Sequence, residues 1–224
     1  MDIKYIKASY IRGYLKKNNI LNNELINSDL FSLNSDDFNR LDELGKKYNL
    51  KLHYFKDKEI LPRVKMVLGF FKGIYPTSLL DVGSGRGVFL FPFLKEFDYC
   101  DITSIDILDY RIELLEYISL GGINNLKPIN VSICDIDLED NSVDVVTMLE
   151  VLEHIPNVRD AVRNAIRIAK SFIVVTVPSK EDDNPEHIHL LTKEILTEMF
   201  NSFGVYNLKF GGVNGHLFLV AKKE

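Results

Sequence analysis

A glycine-rich segment is the part of the sequence whose residue types point most directly to ligand chemistry. Gly83-Ser84-Gly85-Arg86-Gly87 follows the short apolar run 78–82 and precedes a stretch with helical spacing. A strand that feeds such a turn brings backbone N–H groups close to a ligand, as in nucleotide-binding folds. We therefore predict a nucleotide-like ligand at Gly83, Ser84, Gly85 and Gly87. For the glycines alone, a tight strand-to-helix turn without a ligand is an alternative.

Asp81 indicates which kind of ligand this turn suits. It lies two residues before Gly83, where dinucleotide-binding turns usually carry an apolar residue, and Val88 stands where their third glycine would be. A carboxylate at this point repels a pyrophosphate and attracts a cation. S-adenosylmethionine (SAM) carries an amino group and a sulfonium charge beside its adenosine. Asp81 therefore favours SAM over a nicotinamide dinucleotide.

Further cofactor contacts are predicted where the next strands end. Asp106 lies 23 residues after the first glycine, Gly83, where a carboxylate can accept hydrogen bonds from both ribose hydroxyls. Its neighbour Ile107 can pack on the adenine. Asp135 follows the third predicted strand and can accept a hydrogen bond from the adenine amino group, although an acid at a strand end is also commonly a solvated loop residue. The remaining predicted cofactor contacts are Ile136 and Leu149.

The elements that must position these residues follow from the hydrophobic pattern. Apolar runs predict strands at 78–82, 102–106, 129–133, 143–148 and 172–177. Helical spacing predicts helices between and after them at 87–97, 110–119, 158–169 and 193–203, with an Asn157/Asp160 cap pair and a stop at Gly121-Gly122. This alternation indicates an α/β doubly wound parallel sheet. The last segment, 206–220, reads as a β-hairpin that turns over 211–215.

The composition changes near residue 57 and suggests a division of the chain. Residues 1–57 are Asn-rich, with helices predicted at 3–15 and 36–48, and form an N-terminal helical extension. Residues 58–224 form the main domain, which opens with a helix after Pro62. The aromatic residues of the extension predict that it packs on the main domain. Its predicted function is that of a lid over the cofactor and the acceptor.

Overall composition narrows the classes of partner. The 224 residues carry a formal net charge of −5, which argues against nucleic acid as a partner without excluding it. Two cysteines are too few for a disulfide framework or a four-ligand zinc site, and fit a reducing cytoplasm. The longest apolar run is far shorter than the roughly 20 residues that cross a bilayer. We expect a cytoplasmic protein without a membrane partner, and the sequence does not specify its oligomeric state.

Several segments together resemble the class I SAM-dependent methyltransferase family, over roughly residue 61 to the C-terminus. The matching segments are 79–87, the acid at Asp106, and the segments 141–146, 150–156 and 174–178. The resemblance implies a Rossmann-like, mostly parallel seven-stranded sheet with a reversed last strand. It also implies SAM as cofactor and methyl transfer as the reaction. The five strands and terminal hairpin predicted above agree with this fold.

Residues that can move a proton follow the fourth predicted strand. Methyl transfer from a sulfonium depends mainly on positioning, but an oxygen or nitrogen acceptor can need a base. Glu150, Glu153 and His154 stand at the sheet edge where parallel sheets bind ligands, and His154 is the best single base. A structural hydrogen bond is the alternative role for His154. In the polar loop 178–189, His187 is preferred over His189 as a further contact, since strict alternation lets only one of them face inward. The predicted catalytic set is His154, Glu150 and His187, acting on a small-molecule acceptor.

Three alternative functions stay open on the sequence. Small-RNA 2′-O-methyltransferases place a similar Glu-x-x-Glu-His and a later His around a divalent metal, so that Glu150, Glu153, His154 and His187 can be read as ligands. The acidic charge and Leu190-Leu191 depart from that pattern, and we assign no metal ligand. An NAD-dependent oxidoreductase is disfavoured by Asp81 and Val88. A non-catalytic SAM-fold binding protein is disfavoured by the intact acids Asp81 and Asp106.

Overall fold

A single mixed sheet forms the centre of the protein in the computed structural model, which describes residues 1–21, 23–56, 59–180 and 183–224. Its strands are β1 (Ser78–Val82), β2 (Asp101–Asp106), β3 (Leu126–Asn130), β4 (Val143–Leu149), β5 (Ala169–Pro178), β6 (Asn207–Val213) and β7 (His216–Lys222). Over the described residues the spatial order is β3-β2-β1-β4-β5-β7-β6. The first five strands are parallel, and β7 runs antiparallel between β5 and β6. This confirms the predicted Rossmann-like sheet with its reversed hairpin.

Helices cover both faces of the sheet. They are α1 (Ile3–Lys17), α2 (Glu24–Asn27), α3 (Ser35–Lys47), α4 (Pro62–Ile74), α5 (Leu90–Glu96), α6 (Asp109–Leu120), α7 (Val158–Ile168) and α8 (Lys193–Ser202). One buried core combines the N-terminal helices with α4, α5 and α6, and includes Phe71 and Phe93. The second combines α7 and α8 with the other face of the strands. Two apolar faces explain why the central strands are buried along nearly their whole length.

Two predicted boundaries differ from the structure for local reasons. The helix predicted from residue 87 begins at Leu90, because Gly87 has a φ of +76°, which a right-handed helix does not allow. The third strand was expected at 129–133 but runs from Leu126 to Asn130. It contains Pro128, which is tolerated because β3 is an edge strand.

The helix ends and the hairpin show smaller differences. Asn157 is the N-cap of α7, but its side chain makes no capping hydrogen bond, so the predicted Asn157/Asp160 cap pair is wrong. Gly121 ends α6 as expected. In the hairpin, β6 continues through Gly211 and Gly212 to Val213, and the turn shrinks to Asn214-Gly215.

The N-terminal extension is built into the larger core through close contact between α1 and α6. A Cβ added to Gly13 would lie 1.8 Å from the carbonyl oxygen of Tyr117, and one added to Gly121 would lie 1.7 Å from that of Ser9. The two helix backbones therefore touch. The predicted boundary at 57/58 falls on residues outside those described. The described residues before it do not line the main cavity, but Tyr10, Lys51 and Tyr54 line a smaller pocket that shares Gly85, Arg86 and Arg111 with its wall. The lid role stays a prediction.

No helix in the described ranges is long and apolar enough to cross a membrane.

Candidate functional site

The main cavity opens at the carboxyl edge of the parallel strands. It has a volume of about 610 Å³, within the range of about 300 to 1,000 Å³ typical of small-molecule sites. Predicted site residues on its wall are Asp81, Gly83, Ser84, Gly85, Asp106, Ile107, Leu149, Glu150 and His154. The structure thus brings together residues from the ends of β1, β2 and β4, as expected for a doubly wound sheet.

The glycine-rich turn is shaped by positions that do not accept a side chain. Gly83 has a φ of +69°, and a Cβ there would lie 2.5 Å from Val151. Gly87 has a φ of +76°, and a Cβ there would lie 2.5 Å from the ring of Phe91. Gly87 is buried behind the turn and does not belong to the described cavity wall. The backbone of 83–85 therefore forms the wall, while Gly87 allows the chain to pass into α5.

Asp81 is buried at the bottom of the cavity, with both carboxylate oxygens held by hydroxyl groups. Thr147 Oγ1 donates to Oδ1 over 2.7 Å, and Ser84 Oγ donates to Oδ2 over 2.7 Å. Burial raises the pKa of Asp81 to about 6, although the two hydroxyl donors act in the opposite direction. A cation that enters the cavity would favour the charged form of this carboxyl group.

Asp106 is also buried and is engaged by the first turn of the following helix, α6. Its Oδ1 accepts a hydrogen bond from the Leu108 backbone N–H at 3.0 Å, and its Oδ2 forms an ion pair with Arg111 Nη1 at 3.2 Å. An ionised carboxylate has about four acceptor sites, so hydroxyl donors of a ligand can still bind to it. Ile107 is 70% exposed and lines the cavity, which leaves an apolar surface open beside the carboxylate.

The third strand contributes to the cavity in a different way from the prediction. The chain turns at 132–135 directly after β3, with Asp135 N–H donating to the Ser132 carbonyl. Val131, Ser132 and Ile133 line the cavity as a result. Asp135 is exposed and Ile136 is buried in the second core, and neither belongs to the described wall. Their predicted cofactor contacts are therefore without support from the geometry.

Glu153, His154 and His187 lie close together beside the cavity. One potential ligand atom from each lies within 4.8 Å of the other two. The rings of His154 and His187 are 4.8 Å apart, and His154 Nδ1 is 2.9 Å from the Glu186 carbonyl oxygen.

His187 does not line the main cavity as described, and Glu181 and Asp182 of its loop lie outside the described residues. His189 turns away, with Nε2 at 3.0 Å from the Ile155 carbonyl oxygen.

Glu150 does not join this cluster. Its Oε2 lies 2.8 Å from Nδ1 of His216, the first residue of β7. The contact has the distance of an ion pair but not the angles of a hydrogen bond. The four-residue ligand set considered from the sequence is therefore not assembled, because Glu150 is directed to the hairpin.

The sequence did not identify several residues of this site. Among the missed residues are Arg63, Val64, Val67, Arg111, Thr176 and His216. Arg63, Val64 and Val67 share one face of α4, which was expected only to pack on the sheet. The position of His216 in the predicted hairpin could have identified it as a site residue. The first residues of an antiparallel last strand lie at the same edge as the carboxyl ends of the parallel strands, and His216 pairs with Pro178 at the end of β5.

The groups that line the cavity match the chemical groups of SAM. A buried acid with a raised pKa suits the amino group, a second buried acid with free acceptor sites suits ribose hydroxyls, and an exposed isoleucine suits the adenine. The turn at 83–85 allows close approach of the backbone. Fold and site together define a Rossmann-like protein for a nucleotide-like cofactor that carries positive charge.

Comparison with known proteins identifies the family. A family described as "Methyltransferase domain" matches residues 48–209, and the chain belongs to it. The match begins inside the predicted N-terminal extension, earlier than the resemblance near residue 61. The chain therefore carries a SAM-dependent methyltransferase domain. Family membership decides for SAM over the nicotinamide dinucleotide.

Individual relatives are distant. A ubiquinone biosynthesis O-methyltransferase of Rickettsia typhi is 25% identical over 120 residues, which cover 54% of this chain and 46% of that protein. This chain thus matches about half the length of that relative. A SAM-dependent methyltransferase from Aquifex aeolicus has a TM-score of 0.54 at 21% identity, covering 71% of this chain and 88% of its own.

A second solved structure contains two ligands. It is the 1,6-didemethyltoxoflavin-N1-methyltransferase of Burkholderia thailandensis, with bound 1,6-didemethyltoxoflavin and S-adenosylhomocysteine. Its TM-score is 0.60 at 17% identity, and the match covers 84% of this chain and 86% of that chain. At such identities, the two solved structures support the fold.

Proposed function

We propose that this methyltransferase transfers the methyl group of SAM to an oxygen or nitrogen atom of a small molecule. One observation carries the proposal: a single cavity contains both the acids suited to the cofactor and the groups suited to proton transfer. Asp81 and Asp106 lie on one part of its wall, and Glu150 and His154 on another. Its volume of about 610 Å³ is that of a small-molecule site.

The proposed cofactor contacts follow the chemistry of the wall. Asp81 would bind the amino group of SAM, Asp106 the ribose hydroxyls and Ile107 the adenine. The backbone of 83–85 and the half-buried Leu149 would complete the contact surface. When bound, SAM supplies an electrophilic methyl group on a sulfonium. The residues of this chain bind it, exclude water and receive the proton of the acceptor.

The relatives support the acceptor class in a limited way. The Rickettsia relative is named as an O-methyltransferase, and the Burkholderia structure as an N-methyltransferase with a small heterocyclic ligand. We propose the same range of acceptor atoms for this chain. We also propose a cytoplasmic location, since Cys100 and Cys134 are both free thiols.

Calorimetry and a transfer assay test the proposal. SAM and NAD are titrated separately into the full-length protein, and we expect heat of binding with SAM only. SAM labelled in its methyl group is then incubated with simple phenols, catechols and primary and secondary amines, and label transfer is measured. Binding of NAD instead of SAM would contradict the cofactor assignment. SAM binding without transfer to any member of the panel would contradict the acceptor class.

A further inference from the structure

Glu150 has a backbone conformation that a glutamate rarely adopts. Its φ is +57°, in the left-handed region, where glycine and asparagine occur at lower cost. The conformation turns the chain sharply after β4, while the Glu150 backbone N–H still donates to the Thr176 carbonyl at 2.8 Å. Strained residues of this kind concentrate at functional sites. A glutamate at this position therefore indicates that its side chain is needed.

The carboxylate of Glu150 is fixed from the reversed hairpin. His216 Nδ1 lies 2.8 Å from Oε2, and both side chains are about three-quarters buried. His216 is placed by its pairing with Pro178 at the start of the β5–β7 ladder. An imidazole at this distance orients the carboxylate through charge when it is protonated. Oε2 of Glu150 thus lies against the His216 ring at ion-pair distance.

Besides His216 Nδ1 itself, two buried polar atoms at this contact have no hydrogen-bond partner among the described residues. They are Oε1 of Glu150 and Oγ1 of Thr176. Both residues line the main cavity, and the backbone hydrogen bond described above joins them. Buried polar groups are normally satisfied, so an unsatisfied pair on a cavity wall suggests a ligand. A carboxylate only accepts hydrogen bonds, so the ligand must offer an O–H or N–H group.

We propose that Glu150 is the proton acceptor for the methylated group, that Thr176 binds the same group, and that His216 is a positioning residue. This inference rests on the proposed function. It places the acceptor atom at the ends of β4 and β5 and restricts it to a hydroxyl or an amine. His154 is then not the base, in agreement with its Nδ1 contact to the Glu186 carbonyl and its exposed position.

The proton and electron balance of the step is simple. The acceptor oxygen or nitrogen forms a bond to the methyl carbon, and the carbon–sulfur bond breaks with its electron pair on sulfur. The acceptor proton passes to Glu150 Oε1, which becomes a carboxylic acid. The products are the methylated acceptor and S-adenosylhomocysteine, and Glu150 returns its proton to water after product release.

Turnover of three variants tests the roles, with the fastest acceptor from the panel of phenols, catechols and amines. Glu150→Gln keeps the shape of the side chain and should lower kcat by about 10² to 10⁴-fold, with the SAM dissociation constant unchanged. His216→Asn should lower kcat by a smaller factor and leave KM for the acceptor unchanged. Glu198→Gln, an exposed glutamate on α8, is the matched control and should behave like the parent protein. Full activity of Glu150→Gln would overturn the proposal.

An independent measurement does not need an acceptor. Nitrogen-15 spectra of the histidine rings are recorded for the full-length protein with S-adenosylhomocysteine bound. Glu150→Gln should change the Nδ1 shift of His216, and Glu198→Gln should not. An unchanged His216 signal would show that the pair does not form and would overturn the positioning role. If SAM binds but no acceptor is methylated, the proposed function fails, while these spectra still decide on the pair.

A further variant separates strain from folding defects. Glu150→Gly removes the side chain and suits the left-handed backbone. We expect its melting temperature to equal or exceed that of the parent protein, while turnover is lost. A melting temperature well below that of the parent protein would show that Glu150 is retained for folding, and would overturn its catalytic role.

Discussion

Thr147 Oγ1 donates a 2.7 Å hydrogen bond to Oδ1 of Asp81, and this contact joins the centre of β4 to the end of β1. Both residues are at most 2% exposed. Neutral hydroxyl donors, from Thr147 and Ser84, thus hold a carboxyl group whose pKa burial raises to about 6. The negative charge of an ionised Asp81 is therefore not balanced until a cation enters the cavity. Two predictions follow from this carboxyl group.

The first concerns the stability of the cofactor-free protein. Because the folded-state pKa of Asp81 lies above the value near 3.9 of an unfolded aspartate, the folded state holds a proton that the unfolded state releases. The free energy of unfolding should thus fall as pH rises from about 4 to about 6, by an amount on the order of 3 kcal/mol. Asp81→Asn removes this effect. Urea denaturation from pH 4 to 8 should show the variant gaining stability relative to the parent protein over that window, and parallel curves would contradict this.

The second concerns SAM affinity. An ionised Asp81 is needed to bind an amino group, so SAM should bind more tightly at pH 7.5 than at pH 5, and binding at pH 5 should release a proton from Asp81. Asp81→Asn should weaken binding by about 10 to 100-fold, the value of one charge-assisted hydrogen bond. Calorimetry in two buffers of different ionisation enthalpy measures both quantities. Equal affinity of variant and parent protein would place the amino group elsewhere.

Asp106 gives a sharper test of the ribose assignment. Asp106→Ala removes an acceptor of two hydroxyl hydrogen bonds and leaves Arg111 without its partner, so SAM affinity should fall by at least about 30-fold. Asp101→Ala, an exposed aspartate at the opposite end of the same strand, is the matched control. A SAM dissociation constant that is unchanged in Asp106→Ala would mean that the ribose lies elsewhere.

The sequence predicted the sheet and the cofactor end of the cavity because both depend on local patterns. Apolar runs, glycine spacing and acids at strand ends identify Asp81 and Asp106 without any long-range information. Glu150 and His216 illustrate what local patterns miss. They are 66 residues apart, and only the antiparallel placement of β7 against β5 brings them within 2.8 Å.

Local conformation accounts for the other differences. The α5 helix begins late because Gly87 adopts a positive φ, and the ring of Phe91 leaves no room for a Cβ at this position. The start of β3 was not predicted because Pro128 argues against a strand unless the strand lies at the edge of the sheet. Asp135 was assigned to the cofactor because it follows the predicted third strand. That strand ends earlier, at Asn130, and the turn after it places Asp135 outside the cavity wall.

Metal dependence of the reaction tests whether the cluster of Glu153, His154 and His187 binds a catalytic metal ion. We expect methyl transfer to be unchanged after dialysis against a chelator, because Glu150 contacts His216 rather than joining Glu153, His154 and His187. The assay compares label transfer before and after chelation, with the same acceptor. Loss of transfer that one divalent metal restores would instead assign a metal to the cluster, and His187→Asn should then abolish the restoration.

The contact between α1 and α6 predicts that two chemically identical substitutions have opposite effects. Gly13 lies within α1, and a Cβ there would lie 1.8 Å from the carbonyl oxygen of Tyr117, which belongs to the backbone and has little freedom to move. Gly13→Ala must separate the two helices and should lower the free energy of unfolding by about 1 to 3 kcal/mol. Gly69, within α4, has no atom within 4 Å of its added Cβ. Gly69→Ala should raise the free energy of unfolding by up to about 1 kcal/mol, because alanine has the higher helix propensity.

Urea denaturation of both variants measures the difference directly. A loss of stability in Gly13→Ala shows that the N-terminal extension contributes to the folding of the main domain, since α1 places Ile6, Ile11 and Leu15 fully inside the larger core. SAM affinity provides the second measurement. The described part of the extension does not line the main cavity, so the folded fraction of Gly13→Ala should bind SAM as the parent protein does. If Gly13→Ala keeps its stability but loses turnover, the extension acts on the reaction as a lid rather than as part of the core.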